Sequence, residues 1–186
     1  MKDPLIILIG GAAGTAKTSI GKEICNELNI AHRMGSGFIR EAAKSFITRN
    51  NNPYLYNYSF SPHNDLSPFE NLYKQSECIN DAMELCISRA FNEGTSLLIE
   101  GVNVIPGLIS TKNVSLNIIF SVDDFDKHLE MISGKTHFKR EISDLDFKNV
   151  RKIQEDFKNR AEIYKWPIIN LSSKDDIIFE IKSMLK

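Results

Sequence analysis

Few features of this 186-residue chain mark it for a life outside the cell. It has only three cysteines, Cys25, Cys78 and Cys86, an odd number at spacings that no structural metal site uses. Their scarcity excludes a disulfide-framed secreted domain and points to reduced thiols, with Cys78 and Cys86 packing in a core and the protein in the cytoplasm. His32, His63 and His137 share no ligand spacing, so a zinc site is not expected. Net charge is nearly absent: 23 basic and 24 acidic side chains leave −1, so no global field draws the molecule to nucleic acid or to an anionic membrane. The N-terminal apolar run, Leu5–Ile9, stops at five residues, too short for a membrane span or a signal peptide. Repeats, low-complexity tracts and a linker to a second domain are lacking too. What remains is a soluble-type composition, 42% hydrophobic and 25% charged, in a length that suits one domain over residues 1–186.

The most informative stretch present is Gly10-Gly11-Ala12-Ala13-Gly14-Thr15-Ala16-Lys17-Thr18-Ser19. It follows the apolar run and precedes a helical pattern carrying Ile20, Ile24 and Leu28 on one face. From Gly11 it fits the phosphate-loop pattern G-x-x-x-x-G-K-[ST], with Ala16 where the second glycine belongs. Such a loop wraps backbone N–H groups around phosphates at a helix N-terminus. Residues Gly11, Ala12, Ala13, Gly14, Thr15, Ala16, Lys17, Thr18 and Ser19 are therefore the expected nucleotide-binding set. Within it, Lys17 would reach the β- and γ-phosphates and the Thr18 hydroxyl would hold Mg²⁺. If Ala16 must take a positive φ, its methyl costs roughly 1–2 kcal/mol.

Further along, alternating signals predict five strands between helices, a mostly parallel sheet covered on both faces. A short strand is expected at 31–34, then a helix capped by Ser36 whose apolar stripe is Phe38, Ile39, Ala42, Ala43, Phe46 and Ile47. Arg40 and Lys44 share its other face. Residues 50–66 break the pattern with Tyr54, Tyr56, Tyr58 and Phe60, and read as an ordered flap over a cleft, since the segment is too poor in cations for a single-strand groove. Ser67-Pro68-Phe69-Glu70 announces a long helix that Gly94 ends. Thr95–Gly101 reads as a buried strand ending in Glu100, placed where open α/β sheets bind ligands. Glu100 is then a Mg²⁺ group, directly or through water; the plainer alternative is a solvated strand-end carboxylate. A strand at 116–122 leads to Asp123-Asp124 and a helix at 125–132, on which His128 reads as a surface residue. Residues 133–145, with Lys135, His137, Lys139 and Arg140, fit either a lid or an ordinary solvated loop. A helix at 146–164 with Arg151 turned towards that segment, a strand at 166–171 and a helix at 174–185 capped near Ser173 and Asp176 complete the order.

With loop, Arg40 and Glu100 placed, the chain resembles the archaeal 2-phosphoglycerate kinase family of phosphate-loop small-molecule kinases through most of its length. The resemblance is carried by Ile9-Gly10-Gly11-Ala12-Ala13-Gly14, by Phe38-Ile39-Arg40-Glu41, by Pro53, Leu55, Ser59 and Phe60, and most specifically by Leu98–Ile109; His128 and Val150–Gln154 also look similar. It implies a P-loop NTPase fold of the nucleoside-monophosphate-kinase type with a lid, and ATP, Mg²⁺ and in-line transfer to a hydroxyl. The family usually has an acid where Gly37 stands, and histidine where Tyr56 and Asn103 stand. If the missing acid orients the acceptor hydroxyl, Glu100 is the nearest replacement.

The expected function is therefore phosphoryl transfer from ATP to a hydroxyl of a small, already phosphorylated carboxylic acid. Mevalonate 3-phosphate 5-kinases look like a branch of the same group, and the aromatic flap suits such a methyl-bearing acceptor slightly better than glycerate. Arg40 and Lys44 would hold the acceptor's anionic groups, with Tyr56, Asn103 and Lys139 lining its site. Lys139 and Arg140 would close over the transferring group, making Lys17, Glu100 and Arg140 the catalytic set. Two rivals are a nucleotide-dependent switch without an acceptor and a polynucleotide 5′-end kinase. The first lacks an asparagine-lysine-x-aspartate motif here, and the second would want a stronger basic groove.

Overall fold

The computed structural model describes residues 3–62, 65–134, 142–171 and 177–185. Its strands are β1 (Ile6–Gly10), β2 (His32–Gly35), β3 (Leu97–Glu100), β4 (Leu116–Ser121) and β5 (Ile168–Asn170). Its α-helices are α1 (Lys17–Leu28), α2 (Ser36–Ala43), α3 (Pro68–Glu93), α4 (Phe125–Ser133), α5 (Asp144–Tyr164) and α6 (Ile177–Met184). One sheet holds the five strands in the order β2-β3-β1-β4-β5, all neighbours parallel.

The apolar runs form strands because both sheet faces are covered, so no polar alternation is needed. Ile6 and Leu8 of β1, with Leu97, Ile99 and Ile119, pack beneath α3 and α5, against Leu72, Met83, Val150 and Phe157. Ile7 and Ile9, with Leu98, Ile118 and Phe120, face Ile20 and Ile24 of α1 and Ile181 of α6. Successive side chains of one strand thus feed two cores. The parallel register sets Ile9 of β1 opposite Glu100, and Gly35 of β2 opposite the same Glu100. The carboxyl ends of the central strands, where the glycine-rich loop begins, therefore converge on one edge of the sheet.

Local signals decide the helix ends. The α3 capping box is complete: Ser67 Oγ accepts from Glu70 N, Glu70 returns the bond to Ser67 N, and Gly94 closes the helix at φ 66°. Asp124 and Ser143 cap α4 and α5 through Lys127 N and Asp146 N. Ser36 does not cap α2. Gly35 holds that position, and Ser36 is the first helical residue, wholly buried, its hydroxyl bonded to Asn103. The predicted α2 stripe holds only in part: the helix ends at Ala43, and Phe38 and Ala42 within it face solvent. Ile39, Ala43 and Ile47 pack against the core, whereas Phe38 is 83% and Phe46 87% exposed.

The aromatic segment is an ordered, packed one. A 3₁₀ turn spans Pro53–Tyr56, burying Leu55 completely, with Phe60 buried beyond it. Gln75 of α3 donates to the carbonyls of Tyr54 and Asn57, and Asn149 of α5 donates to that of Phe60. All three cysteines are free thiols, half-buried. Among the described residues no helix is long and apolar enough to cross a membrane. His63, the segment with Lys135, His137, Lys139 and Arg140, and the predicted cap at Ser173 and Asp176 lie outside the described residues.

Candidate functional site

The turn from β1 into α1 is built on three left-handed residues: Gly11 (φ 133°), Gly14 (φ 78°) and Ala16 (φ 48°). At Gly11 a Cβ would stand 2.4 Å from the Phe120 carbonyl oxygen, and at Gly14 it would stand 2.7 Å from Ile132 Cβ. Only glycine serves at these two places. Ala16, the N-cap of α1, occupies the left-handed region with a methyl and carries the strain that its place in the pattern foreshadowed. Inside the turn, Thr15 Oγ1 donates to Ala12 O at 3.0 Å. Lys17 Nζ donates to the same carbonyl and, at 3.0 Å, to Thr15 Oγ1.

Lys17 is 7% exposed, and burial pulls its pKa down to about 8 although the Glu100 charge pushes back. Its hydrogen bonds go to neutral oxygens, and the Glu100 carboxylate supplies the opposing charge. Glu100 is 5% exposed at the end of β3, and its Oε1 lies 3.7 Å from Arg33 Nη1. Arg33, which the sequence reading passed over, also donates to Thr18 O at 3.0 Å and so ties β2 to the first turn of α1. The side chains of Thr18 and Ser19 are exposed at that turn.

The expected acceptor residues divide into two groups. Arg40, its side chain 15% exposed, reaches Glu41 Oε1 at 3.1 Å and, at 3.4 Å, both Gln75 Oε1 and Asn57 O. Its buried Nε has no hydrogen-bond partner among the described residues. Lys44 Nζ also grips Glu41, at 2.8 Å, and the Lys44 bond, ahead of Arg40, holds the Glu41 carboxyl below the usual carboxylate range. Asn103 and Tyr56 are spent internally. Asn103, 1% exposed, receives the Ser36 hydroxyl and donates to Gln75 Oε1 at 3.2 Å and Ser76 Oγ at 3.0 Å. Tyr56 donates its hydroxyl to Ile47 O at 2.8 Å, beside the Lys44 and Arg49 cations. An acceptor could reach Asn103 only by displacing one of these bonds. At Gly37 a Cβ would meet nothing within 4 Å among the described residues, so a side chain has room there.

His128 overturns its surface reading. It is 0% exposed, and its Nε2 lies 2.8 Å from Ala13 O of the loop. Burial drives its pKa down to about 4, assisted by the Arg151 and Lys17 charges and opposed by the Ala13 bond. Most of the 133–145 segment, towards which Arg151 was expected to turn, lies outside the described residues. Arg151 donates to Val122 O at 2.6 Å and Asp123 O at 3.0 Å, with Nη1 3.3 Å from His128 Nδ1. The signal for His128 was Ile132, four residues on and buried on the same face of α4.

The loop fits a polyphosphate: a curled backbone, two positions closed to any side chain, and a buried lysine hydrogen-bonded to neutral oxygens. For Mg²⁺ the donor chemistry is the Thr18 hydroxyl and the Glu100 carboxylate. Among the described residues no three His, Cys, Asp or Glu side chains gather, which is compatible with an ion completed by phosphate oxygens and water.

No family model matches the chain. Individual relatives do. The 2-phosphoglycerate kinase of Methanothermobacter thermautotrophicus is 30% identical over an alignment covering 100% of this chain and 65% of that protein. That of Methanopyrus kandleri is 26% identical, covering 99% and 61%, and that of Pyrococcus horikoshii 27% identical, covering 97% and 64%. The chain is thus similar in sequence, over nearly its whole length, to the 2-phosphoglycerate kinases of these archaea. It spans less than two thirds of the length of these relatives. Among solved structures, Acinetobacter baumannii shikimate kinase superposes with a TM-score of 0.56 at 14% identity, covering 98% of this chain and 94% of that one. M. mycoides deoxyadenosine kinase gives 0.53 at 16%, covering 97% of each. At such identities the likeness establishes the fold, that of the P-loop kinases.

Proposed function

We propose that this protein is an ATP-dependent kinase that phosphorylates a hydroxyl of a small, already phosphorylated carboxylic acid. The observation that carries the proposal is Lys17: a buried cation whose hydrogen bonds go to neutral oxygens, enclosed by a left-handed loop and standing in the field of Glu100. In the transfer, the acceptor oxygen forms a bond to the γ-phosphorus while the bridging P–O bond breaks and its electron pair leaves with ADP. Lys17 neutralises charge gathering on the transferring group, and the loop amides hold the polyphosphate in line. Thr18 and Glu100 would hold Mg²⁺, which supplies further charge neutralisation when bound. Glu100 also stands in for the acid absent at Gly37, receiving the hydroxyl proton or orienting that hydroxyl. Arg40 binds the acceptor's phosphate or carboxylate, with Lys44 beside it; the unpaired Nε is a donor awaiting an anion.

The relatives named 2-phosphoglycerate kinase support this acceptor class. Mevalonate 3-phosphate is the second acceptor we put forward. Support for an apolar-bodied substrate comes from Phe38 at the start of α2, 83% exposed, rather than from the aromatic segment, where Leu55 and Phe60 are buried in the fold.

The test is coupled ADP release with 2-phosphoglycerate, mevalonate and mevalonate 3-phosphate. Acceptor-dependent ADP formation with one phosphorylated acid, lost in a folded Lys17→Ala variant, is the expected result. ADP release that no acceptor stimulates would leave a nucleotide switch as the better account.

A further inference from the structure

His128 is a buried imidazole for which the transfer chemistry has no use, yet it touches the loop that holds the nucleotide. Its bonding fixes its proton. Ala13 O can only accept, so Nε2 carries hydrogen and donates at 2.8 Å. Arg151 can only donate, so Nδ1, 3.3 Å from its Nη1, keeps a lone pair. Arg151 is itself fastened to the carbonyls of Val122 and Asp123, where β4 hands over to α4, and Phe147 of α5 packs edge-on to the ring at 5.4 Å. The imidazole therefore has one orientation and one tautomer. It presses on the loop beside Gly14, where a Cβ would come within 3.2 Å of Nε2.

The Ala13 carbonyl and the Gly14 N–H belong to one planar trans peptide and point in opposite directions. Anchoring that carbonyl on α4 turns the Gly14 N–H away from α4. We infer that His128 is a positioning residue: through Ala13 it sets the peptide whose Gly14 amide is offered to the nucleotide's phosphates, and Arg151 fixes His128 for that task. The inference rests on the phosphate-loop reading above. It assigns the 13–14 peptide to a contact 115 residues away rather than to the loop's own sequence.

The test uses the full chain and inorganic tripolyphosphate, with ATP in parallel, by calorimetry. His128→Gln places an amide donor near the Nε2 position, whereas His128→Asn reaches only the Nδ1 position, towards Arg151. Leu and Asn variants should weaken tripolyphosphate and ATP binding about tenfold, with Gln within about twofold of wild type and the acceptor KM unchanged in all three. If His128→Leu does not fold, the Gln and Asn pair decides. Equal tripolyphosphate affinity in the Gln and Asn variants would overturn the inference while leaving the nucleotide site intact. A wild-type protein that binds no tripolyphosphate would overturn both.

Discussion

At the scale of the residue, Lys17 makes a pH prediction. Its folded pKa of about 8 lies below its ordinary 10.5 because burial penalises the charge. Phosphate binding needs the ammonium form. ATP affinity should therefore decline as pH rises through about 8, and Lys17→Arg, which stays charged, should lack that decline in a calorimetric titration. Without ligand the sign reverses. Between pH 8 and 10.5 the unfolded chain keeps a proton that the folded one has released, so stability rises with pH relative to Lys17→Met. Ala16 makes a second prediction. A methyl at φ 48° is strained, so Ala16→Gly should gain about 0.5–1 kcal/mol in urea unfolding despite glycine's looser unfolded state. Both residues were legible because the loop's chemistry lies in ten consecutive positions. The role of His128 was not, because its partners Ala13 and Arg151 lie 115 and 23 residues away, even though Ile132 hinted at its burial.

At the scale of the element, α2 carries the acceptor reading. Its Arg40 leans on Gln75 of α3 and on the carbonyl of Asn57, linking the helix to the segment around the 3₁₀ turn. Arg40→Ala should raise the acceptor KM or lower kcat by about tenfold, the scale of one lost charge-assisted bond, with ATP affinity unchanged. Steady-state kinetics with each substrate varied in turn will check this, and a matching loss of ATP affinity would remove Arg40 from the acceptor site. Elements with strong local punctuation were readable in the chain: the α3 capping box, the Gly94 stop, the apolar run of β1 that enters the glycine-rich loop, and the apolar run of β3 that ends in Glu100. The α2 region was harder to read. Its helix is short, and Ser36, a good cap by type, is drawn instead into a buried network with Asn103, Gln75 and Ser76. Tertiary hydrogen bonding outweighed local preference there.

At the scale of the molecule, the loop is continuous with both cores, since β1 sits between β3 and β4. A ligand gripping this loop stabilises the whole fold by linkage. Saturating ATP at about a hundred times its dissociation constant should raise the melting temperature by about 5–10 °C, read by calorimetry or fluorescence, and Lys17→Ala should show no such rise. The strand order has a further consequence. β1 and its loop occupy the middle of the sheet, while α2 hangs from β2, the outermost strand on its side. If α2 holds the acceptor as proposed, mutation along that margin would retune which alcohol is admitted without disturbing the grip on the phosphate donor, leaving a lineage with this chassis free to drift from one small acid to another.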